Sequence, residues 1–349
     1  MENTATLKVI NKYRAPLMGF AALWILFFHL WQPLFAEGGA SAAFYVENVT
    51  KRLGFEGVDI FFLLSGMGLS YAVQKHSLSG FYYRRFKRIA LPFFVVAAVR
   101  AVVECWGFRG FVQVVTGVNF LFGNMYFCLW FVSAVAIIYL LFPLYWRFFS
   151  RAKSKLIFTA GVIALWYALS LALVGTLRED MYGFTNRLPV FFTGVYLGHC
   201  AQNGGWKLSR RTVLLVGAAL AAVGLVLSFL CNFRSLELLL PQSNCCLPDY
   251  CTALGLTVLL TELFRILDVS CGAVGRAVLK ALSFIGGISL EFYCVQEFLG
   301  GKTVNALSGT VPAVVVNLAV LAAVTLSAWL LSKLNELVWR GIERGKCAK

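Results

Sequence analysis

The chain has 349 residues, of which 60% are hydrophobic and 13% charged, and its formal net charge is +15. A soluble domain carries about 25% charged residues, so this composition excludes a disordered protein and argues against a soluble enzyme. The positive charge sits between apolar blocks, which reads as membrane topology and not as a nucleic-acid footprint.

The blocks are of membrane length and predict an all-α polytopic membrane protein, a bundle of about ten transmembrane helices. In chain order the expected spans are 15–35, 56–75, 88–106, 125–149, 154–174, 187–202, 210–231, 247–268, 281–301 and 310–335. The first resembles a signal peptide, with Lys8, Lys12 and Arg14 ahead of an apolar run and Ala40-Ser41-Ala42 in the place of a cleavage site. Its length and its polar residues His29 and Gln32 favour a retained helix. The aromatic stretch 107–124 is expected to lie in the interface or to re-enter. With no repeat, low-complexity segment or appended soluble region, residues 1–349 are expected to form a single integral membrane domain.

Most of the 31 lysines and arginines fall on one side of this arrangement, including Lys12, Arg14, Arg84, Arg85, Lys87, Arg88, Arg147, Lys155, Lys207, Arg210, Arg265 and Arg340. The opposite side holds Lys51, Arg52, Arg100, Arg109, Arg178, Arg187, Arg234 and Lys302. The asymmetry places both termini in the cytoplasm of a multi-pass plasma-membrane protein. Ten cysteines show no CxxC pair and no zinc or thioredoxin motif, and no metal is expected. Cys231, Cys245, Cys246 and Cys251 are read as core- or lipid-facing thiols. A disulfide is the alternative if their loop faces an oxidising compartment.

Ionisable groups inside spans are costly and therefore mark function or interhelical pairing. His29 lies in the outer half of the first span, where a neutral imidazole can take a proton from a hydroxyl. The alternative is a histidine satisfied by a neighbouring helix. Glu56 and Asp59, three apart on one helix face, suit a polar acceptor, or else cap the helix and stay solvated. Arg84, Arg85, Lys87 and Arg88 form a dense basic run. It is either a topology signal beside anionic lipid or a clamp for a phosphorylated donor. Arg187 opens a span on the outer side, placed to bind acceptor hydroxyls or to anchor there. Glu262, Glu291 and the pair Arg100 and Glu104 are best explained by structural pairing between charges.

The segment Gly57-Val58-Asp59-Ile60-Phe61-Phe62-Leu63-Leu64-Ser65-Gly66, followed by Phe81-Tyr82-Tyr83-Arg84-Arg85 and Pro92, resembles the membrane acyltransferase-3 family. So do Leu129-Trp130 with Tyr139-Leu140-Leu141-Phe142-Pro143, Arg187-Leu188-Pro189 through Gly194, and Phe284-Ile285-Gly286-Gly287 through Tyr293. The resemblance implies transfer of an acyl group, chiefly acetyl, from an acyl-coenzyme A to a hydroxyl of an exported or cell-surface carbohydrate. It implies His29 as the catalytic residue. Arg84, Arg85 and Arg88, with Arg14, would hold the donor. Glu56, Asp59 and Arg187 would bind the acceptor. Expected partners are acyl-coenzyme A as donor substrate, membrane lipid and the carbohydrate, with no nucleic acid. Fifteen residues of helix between Arg14 and His29 rise about 22 Å, a length of the order of a pantetheine arm. The chain departs from the family pattern at Met18, where a cation is usual, at Val135 and Ala136, where acids are usual, and at Gln296, where histidine is common. These departures keep open an inactive relative or a transporter of a lipid-linked sugar.

Overall fold

The computed structural model describes residues 6–35, 41–124, 127–172, 181–203, 209–233 and 243–347. Lys207, Arg178 and Arg234, counted in the charge asymmetry, Ala40 and the Cys245 side chain lie outside the described residues. Among the described residues the structure is helical throughout, with no strand.

The chain opens with α1 (Thr6–Lys12) and α2 (Arg14–Leu30). Next come α3 (Ala42–Arg52), the 3-10 turn Leu53–Glu56, α4 (Gly57–Lys75) and α5 (Leu78–Val103). Two short helices follow, α6 (Gly107–Val115) and α7 (Val118–Phe122), parted by Gly117 at φ 74°. The middle of the chain holds α8 (Trp130–Arg151), α9 (Lys155–Ala172), α10 (Tyr182–Thr185) and α11 (Leu188–Asn203). Then come α12 (Arg210–Phe233), α13 (Ser243–Ser270) and α14 (Gly272–Gly287). The last elements are α15 (Ser289–Val295), a π-helical turn Gln296–Gly300, α16 (Gly301–Leu307) and α17 (Ala313–Cys347).

Five described stretches are long and apolar enough to cross a membrane: Ala42–Lys75, Trp130–Arg151, Arg210–Cys231, Cys246–Ser270 and Ala313–Gly345. Gly272–Gly287 and Ser289–Leu307, bent by 65° where they meet, make a sixth if they are one span. The expected single helix 281–301 is thus broken, at a Gly286-Gly287 pair that weakens helix formation. The basic run at the edge of the expected span 88–106 lies well inside α5, because that helix begins at Leu78. α17 extends beyond the expected span 310–335, and its C-terminal part carries the pairs Lys333–Glu336 and Glu336–Arg340 at helical spacing. Cys231 and Cys251 are free thiols.

The chain divides into two compact units. The first comprises Met1–Ala21, Phe55–Leu78 and Leu141–Gly287. Here α4 packs along α11 and α12 along α13. Small residues let these backbones touch: a Cβ on Gly66 would collide with the Phe191 carbonyl, and one on Gly194 with that of Leu63. Gly224 and Gly255 do the same for α12 and α13. In lipid such close approach, not hydrophobic burial, drives helix association. The second unit comprises Ala22–Gly54, Ser79–Leu140 and Ile288–Lys349. Its core is built where α15 packs on α17, around Phe81, Val132, Phe292 and Val324.

Candidate functional site

Within the first unit the packing of α4 on α11 carries Asp59 to Arg187, whose Nε lies 3.3 Å from Asp59 Oδ2. Arg187 also donates through Nη1 to the Gly183 carbonyl one turn earlier. Asp249, near the start of α13, comes within electrostatic reach of both. Glu56 joins them, with the Ser228 hydroxyl of α12 beside it. Glu56 and Asp59 are fully buried and Asp249 is 5% exposed. Neither oxygen of the Glu56 or Asp59 carboxyl has a partner in hydrogen-bond geometry among the described residues. Asp59 thus pairs with the guanidinium, and Glu56 and Asp249 lie within its electrostatic reach, with Glu56 and Asp59 at the N-terminus of α4, where the helix dipole favours negative charge. Glu56 occupies the N-cap position of α4 but makes no capping hydrogen bond. That rules out the solvated helix-cap reading for it. The structure therefore brings Glu56, Asp59 and Arg187 together and adds Asp249 and Ser228, which the sequence reading did not weigh. The available signal was an acid inside the apolar run Cys246-Leu247-Pro248-Asp249-Tyr250-Cys251.

Arg14 belongs to the same unit. Its guanidinium lies against Gly68 of α4, so close that a Cβ there would meet it at 2.5–2.6 Å. The glycine makes room for the head group, which turns onto the neighbouring helix.

Within the second unit His29 is the penultimate residue of α2, and its ring is exposed with one edge on Phe28 at 4.8 Å. The helix end that presents it is tied down. Lys51 donates to the Trp31 carbonyl at 2.8 Å, and Trp31 Nε1 donates to Glu47 at 2.6 Å. Asn317 of α17 accepts from the Gln32 amide at 2.8 Å and donates to the Gln32 carbonyl at 2.9 Å. Side chains thus satisfy backbone groups that a helix end leaves unpaired. Beside this turn is an apolar cavity of about 240 Å³, lined by Leu26, Phe27, Leu30, Trp31, Asn317 and Leu321.

The basic run of α5, also in the second unit, divides into unlike environments. Arg84 is exposed. Arg85 lies over the rings of Phe81 and Tyr139, at 5.5 and 5.2 Å. Lys87 pairs with Glu343 of α17 at 2.6 Å. Arg88 donates to Glu291 of α15, a carboxylate with no exposed surface. Glu291 is thereby accounted for by structural pairing. Glu262 is too, held in the first unit by Arg210 and by Arg265 at 2.7 Å. Of the sequence-predicted donor residues, Arg84 alone is exposed.

A second polar group of this unit lies at the far end of α5. Arg100 bonds Glu104 at 3.1 and 3.3 Å, and Trp106 Nε1 donates to Glu104 at 3.0 Å. Cys128 and Glu297 are within electrostatic reach of Arg100. Cys105 and Leu129, both left-handed at φ 54° and 51°, bracket the intervening segment. Non-glycine residues held there store about 1–3 kcal/mol each, and such strain gathers at functional sites. The Tyr293 hydroxyl accepts from the Phe131 amide at 3.2 Å, fixing the first turn of α8. Gln296, standing where the family commonly has histidine, is buried with neither amide atom hydrogen-bonded among the described residues. It opens the π-helical turn, a feature frequent at functional sites. Among the described residues no three histidine, cysteine or acidic side chains converge to hold a metal ion.

A family model described as an acyltransferase domain, that of acyltransferase family 3, matches residues 17–333. No curated protein and no solved structure matches the chain.

Proposed function

Because this chain belongs to the membrane acyltransferase-3 family, we propose that it is an O-acyltransferase taking an acyl group, acetyl in the first instance, from cytoplasmic acyl-coenzyme A to a hydroxyl of an exported or cell-surface carbohydrate. The observation that carries the catalytic assignment is the exposed His29 ring on a helix end fastened by Lys51, Glu47 and Asn317. A general base must reach its substrate and hold its position.

In this reading His29 takes the proton of the acceptor hydroxyl as the oxygen attacks the thioester carbon. The C–S bond breaks and coenzyme A leaves as the thiol, the proton from the histidine going to the sulfur. Arg84, with Arg85 and Arg88 behind it on α5, attracts the donor's phosphates. Arg14, which packs on Gly68, contributes positive charge in the first unit. Glu56, Asp59 and Arg187, joined by Asp249, hydrogen-bond acceptor hydroxyls, as carboxylates and guanidinium commonly do with polyols. The expected setting is the plasma membrane, with about ten spans, both termini cytoplasmic and residues 1–349 acting as one domain.

The test is label transfer. Protein purified into proteoliposomes is given acetyl-coenzyme A labelled in the acetyl group, with a cell-surface polysaccharide as acceptor. Labelled polysaccharide and stoichiometric free thiol support the reading. Binding of the polysaccharide with no loss of thioester would instead indicate an inactive relative or a carrier.

A further inference from the structure

A different part of the first unit carries an inference that does not rest on the acyl-transfer reading. Two cavities flank α9, of about 320 and 520 Å³, and share Ala160, Ile163 and Tyr250 in their walls. The smaller is walled by apolar side chains of α4, α9, α11, α12 and α13, with Leu63, Met67, Leu220 and Val258 among them. The larger lies between α9 and the first turns of α11 and α13, against Trp166, Pro189 and Leu247. No charged side chain lines either one among the described residues. Volumes of this size fall in the range of ligand sites, about 300–1,000 Å³.

The geometry points to the occupant. Along α13 the lining runs from Cys246 to Val258, about 18 Å at 1.5 Å per residue. That is close to half of a hydrocarbon core about 30 Å thick, the depth of one leaflet. At the end near the helix starts, Trp166 buries its indole Nε1 with no acceptor among the described residues. An indole nitrogen can only donate, and indoles favour the level of the membrane interface. A long uncharged chain ending in a carbonyl at that level suits the apolar walls and the indole donor. We infer that this cleft holds one acyl chain of a bilayer phospholipid, its ester carbonyl accepting from Trp166 Nε1. A polyprenyl phosphate would fill the apolar part but brings no carbonyl to Trp166.

The test uses the full chain in proteoliposomes of phosphatidylethanolamine and phosphatidylglycerol, doped with phosphatidylethanolamine bearing a diazirine at the end of one acyl chain. After irradiation, labelled peptides are mapped. The inference expects labelling of 213–220 and 254–258 above that of the α17 surface. Ala160→Trp, which fills the shared wall from an exposed position, should cut that labelling by an order of magnitude and leave α17 unchanged. Trp166→Phe keeps the shape and removes the donor, so labelling should fall about two- to tenfold. That variant decides the matter if Ala160→Trp does not fold. Labelling no stronger than at α17 would overturn the inference. So would indifference to Trp166→Phe, or equal displacement of the probe by polyprenyl phosphate and by unlabelled phospholipid.

Discussion

In the second unit Glu291 is paired with Arg88, whereas in the first Glu56, Asp59 and Asp249 all lie within reach of the guanidinium of Arg187. Both groups contain carboxyls with no exposed surface, which are expensive. The first pair is balanced: each charge has a counterpart, and the bent helix carrying Glu291 is fastened to α5. The cluster around Arg187 sets three acids, Glu56, Asp59 and Asp249, against one cation. Balanced burial is what a structural contact needs. Surplus acid beside one cation suits a site that completes its bonds with a polyhydroxyl ligand.

The largest expected effect tests the balanced side. Arg88→Leu leaves Glu291 buried without its counterion and should cost about 3–5 kcal/mol. The drop should appear as a lower unfolding midpoint in detergent. Replacing both partners, Arg88→Leu with Glu291→Leu, should recover most of it. A double variant as unstable as the single one would mean that the pair is not the source of the loss.

The surplus side should behave in the opposite way. Glu56→Gln and Asp59→Asn thin out a crowd of acids around one cation, so unfolding midpoints should hold or rise. Acceptor use should nevertheless fall, by about 1.5–3 kcal/mol per lost charged hydrogen bond, or roughly 10- to 150-fold in kcat/KM. If both variants lose stability and keep acceptor kinetics, the cluster is a structural contact like the other. The exposed arginine offers a cleaner comparison. Arg84→Gln should weaken acyl-coenzyme A binding by about 1.5–3 kcal/mol and leave the midpoint unchanged. Titration with a non-hydrolysable coenzyme A analogue reads this directly. The smallest effect is expected at Glu336, whose pairs with Lys333 and Arg340 are exposed. Glu336→Gln should leave the unfolding midpoint unchanged, and a clear loss would show that exposed pairs also matter here.

Much of this was legible from residue order. Apolar blocks marked the helices because lipid allows a spanning chain few other structures. Glu56 and Asp59 stood out as acids at the head of an apolar helix, and the glycine of Ser65-Gly66 proved to be where α4 meets α11. Less visible were long-range partners. Asp249 reaches the cluster only because α13 packs beside α4 and α12, and nothing local announces that meeting. The paired state of Lys87 and Arg88 depends on Glu343 and Glu291, more than two hundred residues away. The break after Gly287 and the left-handed Leu129 could not be read from hydrophobic periodicity.

The central claim is that His29 performs the chemistry and does not merely brace a helix. His29→Gln keeps polarity and much of the volume, and the native ring is exposed, so the fold should be indifferent to the change. The decisive measurement compares initial rates of acetyl transfer from labelled acetyl-coenzyme A by wild type and His29→Gln, with unfolding midpoints and coenzyme A affinity recorded on the same preparations. The account predicts a rate lower by about 10²–10⁴ with midpoint and donor affinity unchanged. A folded His29→Gln protein that transfers acetyl at the wild-type rate would contradict it.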